Sequence, residues 1–155
     1  MKKSECAKEL FQKGYNCSQS VLCAFCDDIG IDFDTALKIS SSFGGGMGRL
    51  REVCGAVTAM FMVAGIKYGY TDPKDQKAKA QHYKLIQLLA KKFSDKYGYI
   101  VCRDLLGLDK QKSDYIPSER TKEYYQKRPC VELVCYAADI LEELILTEKE
   151  SKKEV

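Results

Sequence analysis

Eight cysteines, at positions 6, 17, 23, 26, 54, 102, 130 and 135, are the residues of this 155-residue chain with the widest choice of chemistry. A thiol becomes a nucleophile or a metal ligand when its thiolate is stabilised, and helix amino termini and neighbouring cations both do that. Cys17 directly follows Asn16, a good helix cap, and Cys130 directly follows Pro129 with Arg128 beside it. Both positions are therefore expected to feel the unsatisfied N–H groups of a helix start. Cys102 adjoins Arg103 in a glycine-flanked segment. Cys54 comes shortly after Phe43-Gly44-Gly45-Gly46-Met47-Gly48-Arg49. Glycines there permit positive φ and let backbone N–H groups converge, a geometry that binds an anion or supports a thiolate, with Arg49 adding charge. The run is neither a Walker A loop nor a dinucleotide fingerprint, because it lacks a Gly-Lys-Ser/Thr ending and a preceding strand. A tight turn that packs its backbone closely against a neighbour is the plainer alternative.

The remaining cysteines are read as structural. Cys23-Ala-Phe-Cys26 has the spacing of a thioredoxin pair or half a zinc site, but it falls about two turns inside an expected helix with no strand before it. Cys6 and Cys135 sit within amphipathic helices. The single histidine, His82, lies three and four residues before Leu85 and Ile86, which reads as a packing imidazole. Without a second histidine, His-containing zinc sites and Cys-His hydrolase chemistry lack support.

These side chains have to be positioned by helices, because the hydrophobic spacing is helical nearly throughout. The expectation is an all-α, single-domain bundle of about five to seven helices. Cys6, Leu10 and Phe11 mark a first helix ending at Gly14. Cys17, Val21, Phe25 and Ile29 mark a second that runs on through all four. Asp32 caps a short third through Ala36, Leu37 and Ile39. The apolar run Val53–Ile66 forms the central helix, and at 14 residues it is shorter than the roughly 20 a membrane span needs. Thr71-Asp72-Pro73 gives a cap and a first-turn proline for a long lysine-rich helix with Leu85, Leu88, Leu89 and Phe93 inward, closing near Gly98. Residues 108–128 hold a loop and a short helix, and Pro129 opens the last helix. The domain spans residues 1–146, and 147–155 are expected to form a charged, fraying tail.

Twenty-five basic against 22 acidic residues give a net charge of +3, too small and dispersed for a nucleic-acid footprint. Ser4, Glu5, Lys8 and Glu9 interrupt the start where an export signal needs apolar residues, so a cytoplasmic location and no membrane insertion are expected. Eight cysteines are about 5% of the chain, below the density of a disulfide scaffold. Free thiols or metal ligands follow.

Asn16-Cys17-Ser18-Gln19-Ser20-Val21, Phe43–Arg49, Val53-Cys54-Gly55-Ala56, Cys102-Arg-Asp-Leu-Leu-Gly107 and Cys130 with its helix together resemble the C-GCAxxG-C-C family of redox-active proteins. The resemblance covers residues 5–145. The family's four cysteines fall on Cys17, Cys54, Cys102 and Cys130. Its last motif glycine is Ala59 here. Members are often encoded near transporters, which implies a transporter association alongside a redox partner. Two mechanisms fit these four residues. Two thiol/disulfide couples need no cofactor, with Cys17 or Cys130 attacking. Alternatively, one four-thiolate centre holds an iron–sulfur cluster or zinc, supported by Arg49 and nearby N–H groups. A helical adaptor with purely structural cysteines is the reading without chemistry, and an apolar face for a homo-oligomer is compatible with each. The four sulfurs are expected to gather at one end of the bundle.

Overall fold

The computed structural model describes residues 1–108 and 113–155. Among these the fold is all-α, with nine right-handed helices: α1 (Lys3–Gln12), α2 (Cys17–Ala24), α3 (Cys26–Ile29), α4 (Phe33–Ser40), α5 (Gly55–Tyr68), α6 (Gln76–Tyr97), α7 (Cys102–Leu105), α8 (Lys122–Lys127) and α9 (Cys130–Lys153). The excess over seven comes from the one-turn helices. The only extended pairing among the described residues is a single antiparallel bridge between Val53 and Val101.

Helix α5 is central because its small residues admit close neighbours. Ala56, Val57, Ala59, Met60, Val63 and Ala64 are fully buried, and the helix packs against α2, α9 and α6. Ala59, in place of the motif glycine, sits without contact to water, so its extra methyl adds to the core. Helix α1 closes the other side, laying Ala7, Leu10 and Phe11 on α2 and α9. No helix among the described residues is long and apolar enough to cross a membrane.

Caps account for several starts. The Asn16 side chain accepts from Gln19 N–H at 2.9 Å while Gln19 reaches back to Asn16 N–H at 3.1 Å, a reciprocal box that fixes Cys17 at the first position of α2. Asp32 caps α4 through Thr35 N–H at 2.9 Å.

Some boundaries differ from the sequence reading. The second helix does not continue to Ile29; it breaks at Phe25, whose φ of −109° and ψ of 10° separate α2 from α3. Fully buried Phe25 is held there by the core, an override that residue type alone does not announce. The central helix starts at Gly55 and not at Val53, because Val53 is committed to the bridge with Val101. The long helix is capped by Asp75, which accepts from Ala78 N–H at 2.9 Å; Asp72 instead closes the preceding turn onto Lys74 N–H. Leu88 is 49% exposed, whereas Leu89 and Phe93 carry the inward stripe. The charged end, expected to fray, continues α9 to Lys153. Part of the loop expected over 108–128 lies outside the described residues.

Candidate functional site

Two glycines bring the cysteine-bearing segments together. After the 3-10 turn Ser41–Phe43, the Gly44–Met47 turn winds in the left-handed sense, with φ of 67° at Gly45 and 70° at Gly46. Met47, Arg49 and Arg51 share that sign, at about 1 kcal/mol or more each for a side-chain-bearing residue. A Cβ on Gly46 would lie 2.6 Å from Cys102 Cβ and 2.9 Å from Arg51 Cα. A Cβ on Gly55 would lie 2.8 Å from the Phe43 carbonyl and 3.3 Å from Cys17 Cβ. Bare backbone at these two points lets the loop seat against Cys102 and the start of α5 against Cys17, so the glycines act as close-packing residues.

The segments before α5 and α7 then run antiparallel. Cys102 N–H donates to the Glu52 carbonyl at 2.6 Å, and Cys54 N–H donates to the Ile100 carbonyl at 2.8 Å. Cys54 therefore stands at the amino end of α5 and Cys102 at that of α7, while Cys17 opens α2 and Cys130 opens α9. All eight cysteines are free thiols.

Cys17, Cys54, Cys102 and Cys130 line one small cavity of about 50 Å³, together with Gly45, Gly46, Arg51, Arg120, Tyr124 and Arg128. The arginines tilt the thiol chemistry. The neighbouring Cys17 thiol, with Arg128, Arg120 and Arg51, brings Cys130 down to about 7 against the cost of burial. Cys130 in turn, followed by burial, pushes Cys17 well above its ordinary value. Burial holds Cys54 up at about 12 despite the facing N–H groups of Ala56 and Val57. Burial also raises Cys102, although Arg51 Nη1 donates to its sulfur at 3.6 Å and opposes the rise. One thiolate, Cys130, is thus favoured over the other three.

A wider chamber of about 270 Å³ adjoins this cavity and shares Asn16, Gly45, Arg51, Arg120, Tyr124 and Arg128 with it. Gly44, Gly48 and Arg49 line this chamber and not the thiol cavity. Arg49 donates to the Asp114 carbonyl at 2.7 Å and to Ser118 Oγ at 3.2 Å. Arg120 is stacked over Phe11, 4.3 Å from the ring centre, and donates to the carbonyls of Phe11 and Tyr15. Arg128 lies 4.8 Å over Tyr124.

The other cysteines fall elsewhere. Cys6, Cys23 and Cys26 line a separate surface hollow with Lys3, Asp27 and Asp32. Burial, then Cys26, pushes Cys23 up to about 12; burial and Asp27 outweigh a lowering hydrogen bond at Cys26. Cys135 Sγ donates to the Ser4 carbonyl at 3.6 Å. His82 packs edge-on to Tyr70 and lines neither chamber.

Among the described residues no group of three or more His, Cys, Asp or Glu side chains is arranged to hold a metal ion. As they lie, the four thiols do not form the ligand set of an iron–sulfur cluster or of zinc. Sequence reasoning missed Arg51, Arg120 and Tyr124. Arg120, Tyr124 and Arg128 recur every four residues, a basic-aromatic stripe that was available as a signal. Arg51 had none, since its role depends on the bridge between distant segments.

No curated protein and no solved structure matches the chain. A family model described as "Putative redox-active protein (C_GCAxxG_C_C)" matches residues 15–144, most of the sequence, and the chain belongs to that family.

Proposed function

We propose that the protein is a thiol/disulfide redox protein in which Cys130 attacks and Cys17 resolves. The observation that carries this reading is that Cys17 and Cys130 line one small cavity at the amino end of α9, walled by Arg51, Arg120 and Arg128. A helix amino terminus and three cations favour thiolate at Cys130, and a second thiol in the same cavity is what a resolving step needs.

The exchange balances as follows. The Cys130 thiolate attacks one sulfur of a substrate disulfide, forming a mixed disulfide and expelling the other half as a thiolate. Cys17 then gives up its proton and attacks the Cys130 sulfur, which breaks the mixed disulfide. The substrate leaves as two thiols, reduced by two electrons, and the protein holds a Cys17–Cys130 disulfide. Cys54 and Cys102 border the same cavity and are the next thiols in line for exchange. As part of the same proposal, a dithiol partner in the cytoplasm restores the reduced state by the reverse steps.

Trapping tests the order of attack. With hydroxyethyl disulfide as the oxidant, Cys17→Ser should accumulate a mixed disulfide on Cys130, while the unaltered protein releases both halves. Accumulation of the adduct on Cys23 or Cys26 instead would remove Cys130 from the attacking role.

A further inference from the structure

The four arginines of the outer chamber carry more positive charge than the described residues supply negative charge to meet. Among the described residues, no carboxylate lies within ion-pair distance of Arg51, Arg120 or Arg128. Arg49 meets only the exposed Asp114, at 3.8 Å. Arg51 is 2% exposed, and its polar partners are Ser113 Oγ at 2.8 Å and Cys102 Sγ. A buried guanidinium without an anion is costly, since desolvated charge is ordinarily paired. One Cys130 thiolate offsets part of four charges. Burial and the neighbouring Arg51 already work against the charge on Arg49, as expected where cations crowd together.

The hydrogen-bonding pattern points the same way. Ser118 Oγ accepts from Arg49 Nη1 at 3.2 Å and from Arg128 Nη2 at 3.4 Å. With both lone pairs engaged by donors, its own O–H is left to donate. Arg120 is fixed by two backbone carbonyls and three aromatic rings, so it adds field without needing to move. Among the described residues, the chamber is a set of donors and positive charge with no acidic side chain on its walls, and it opens directly onto the thiol cavity.

We propose that this outer chamber binds a small molecule carrying an oxyanion group and presents it to the thiol cavity. Guanidinium forks match the geometry of carboxylate, sulfonate and phosphoryl oxygens, which sets the ligand class. The presentation step rests on the thiol-exchange reading above; the binding step does not.

A pair of alkylating reagents tests it with Cys130 as reporter. Iodoacetate and iodoacetamide both form an S–C bond as the C–I bond breaks and iodide leaves, but only iodoacetate carries a carboxylate. Both consume the same thiolate, so the ratio of their rates cancels thiol acidity. Relative to the same ratio for glutathione, Cys130 should favour iodoacetate by about tenfold or more at low ionic strength, and sulfate should suppress the excess by competition. Arg49→Gln combined with Ser118→Ala, with helicity checked by circular dichroism, should lower the ratio towards that of glutathione.

A ratio equal to that of glutathione in the unaltered protein overturns the chamber while leaving the thiol reading intact. If Cys130 reacts with neither reagent, the nucleophile reading fails. Calorimetric titration of Cys130→Ser with sulfate then decides the chamber alone: saturable binding supports it, and no binding overturns it.

Discussion

Cys17, Cys54, Cys102 and Cys130 meet where four helices begin and three arginines converge, whereas Cys6, Cys23 and Cys26 meet at the break between α2 and α3 beside Asp27 and Asp32. Both groups contain a pair of neighbouring thiols that shift one another, Cys17 with Cys130 and Cys23 with Cys26. Crowding is common to the two, and the surroundings differ. In the first group the Cys17 contact and a cation-rich wall outweigh burial and bring Cys130 to about 7; in the second, burial and the neighbouring Cys26 leave Cys23 at about 12. Sequence spacing makes Cys23 and Cys26 look like the redox pair, yet the favourable electrostatics belong to residues 113 positions apart. Thiol chemistry in this fold is set by what faces the sulfur.

The largest expected contrast is in reactivity at neutral pH. Thiolate fractions at Cys130 and Cys23 differ by several orders of magnitude, and the higher intrinsic nucleophilicity of the more basic thiolate recovers part of that. Alkylation of Cys130 by iodoacetamide should exceed that of Cys23 by roughly two orders of magnitude, read by mass spectrometry of quenched digests. Comparable rates would erase the distinction between the groups.

A stability contrast comes next. Gly46→Ala combines an unfavourable positive φ with a Cβ 2.6 Å from Cys102 Cβ, and should cost about 2–4 kcal/mol in chemical denaturation. Gly30→Ala, at the end of α3 near the second group, meets no atom within 4 Å and has only its φ of 69° against it. Its cost should be nearer about 1 kcal/mol. Equal losses would mean that Gly46 is not needed for close approach.

The pH profile of Cys130 separates the causes of its acidity. Thiolate accumulates as pH rises through the folded value, so reactivity should be low in acid, half-maximal near pH 7 and level above it. Removing the contact that contributes most, with Cys17→Ala, should move the midpoint upward by about one unit or more. Arg128→Met should move it in the same direction by less, because Arg120 and Arg51 remain. A larger shift for Arg128→Met than for Cys17→Ala would reverse the ranking of these two influences.

Much of this was legible in local residue chemistry. Asn16 before Cys17, Asp32 before Phe33 and Pro129 before Cys130 are short-range signals, and each marks the helix start it advertises. The apolar density of 53–66 likewise identifies α5 as central. What escaped was long-range. Phe25 breaks a helix without glycine or proline because the core claims its ring, and Asp75 takes the cap that Asp72 was expected to supply. Arg120 reaches the carbonyls of Phe11 and Tyr15, more than 100 positions away, and no local pattern states that pairing. The cysteines and glycines of the candidate site were readable as residue types; the arginine wall around them needed the fold.

Disulfide mapping under limiting oxidant tests the contrast between the two groups most directly. Protein reduced and purified without oxygen, given less than one equivalent of hydroxyethyl disulfide and quenched with acid, should yield a Cys17–Cys130 crosslink as its first product. A Cys23–Cys26 crosslink appearing first, with Cys17 and Cys130 still reduced, would contradict it.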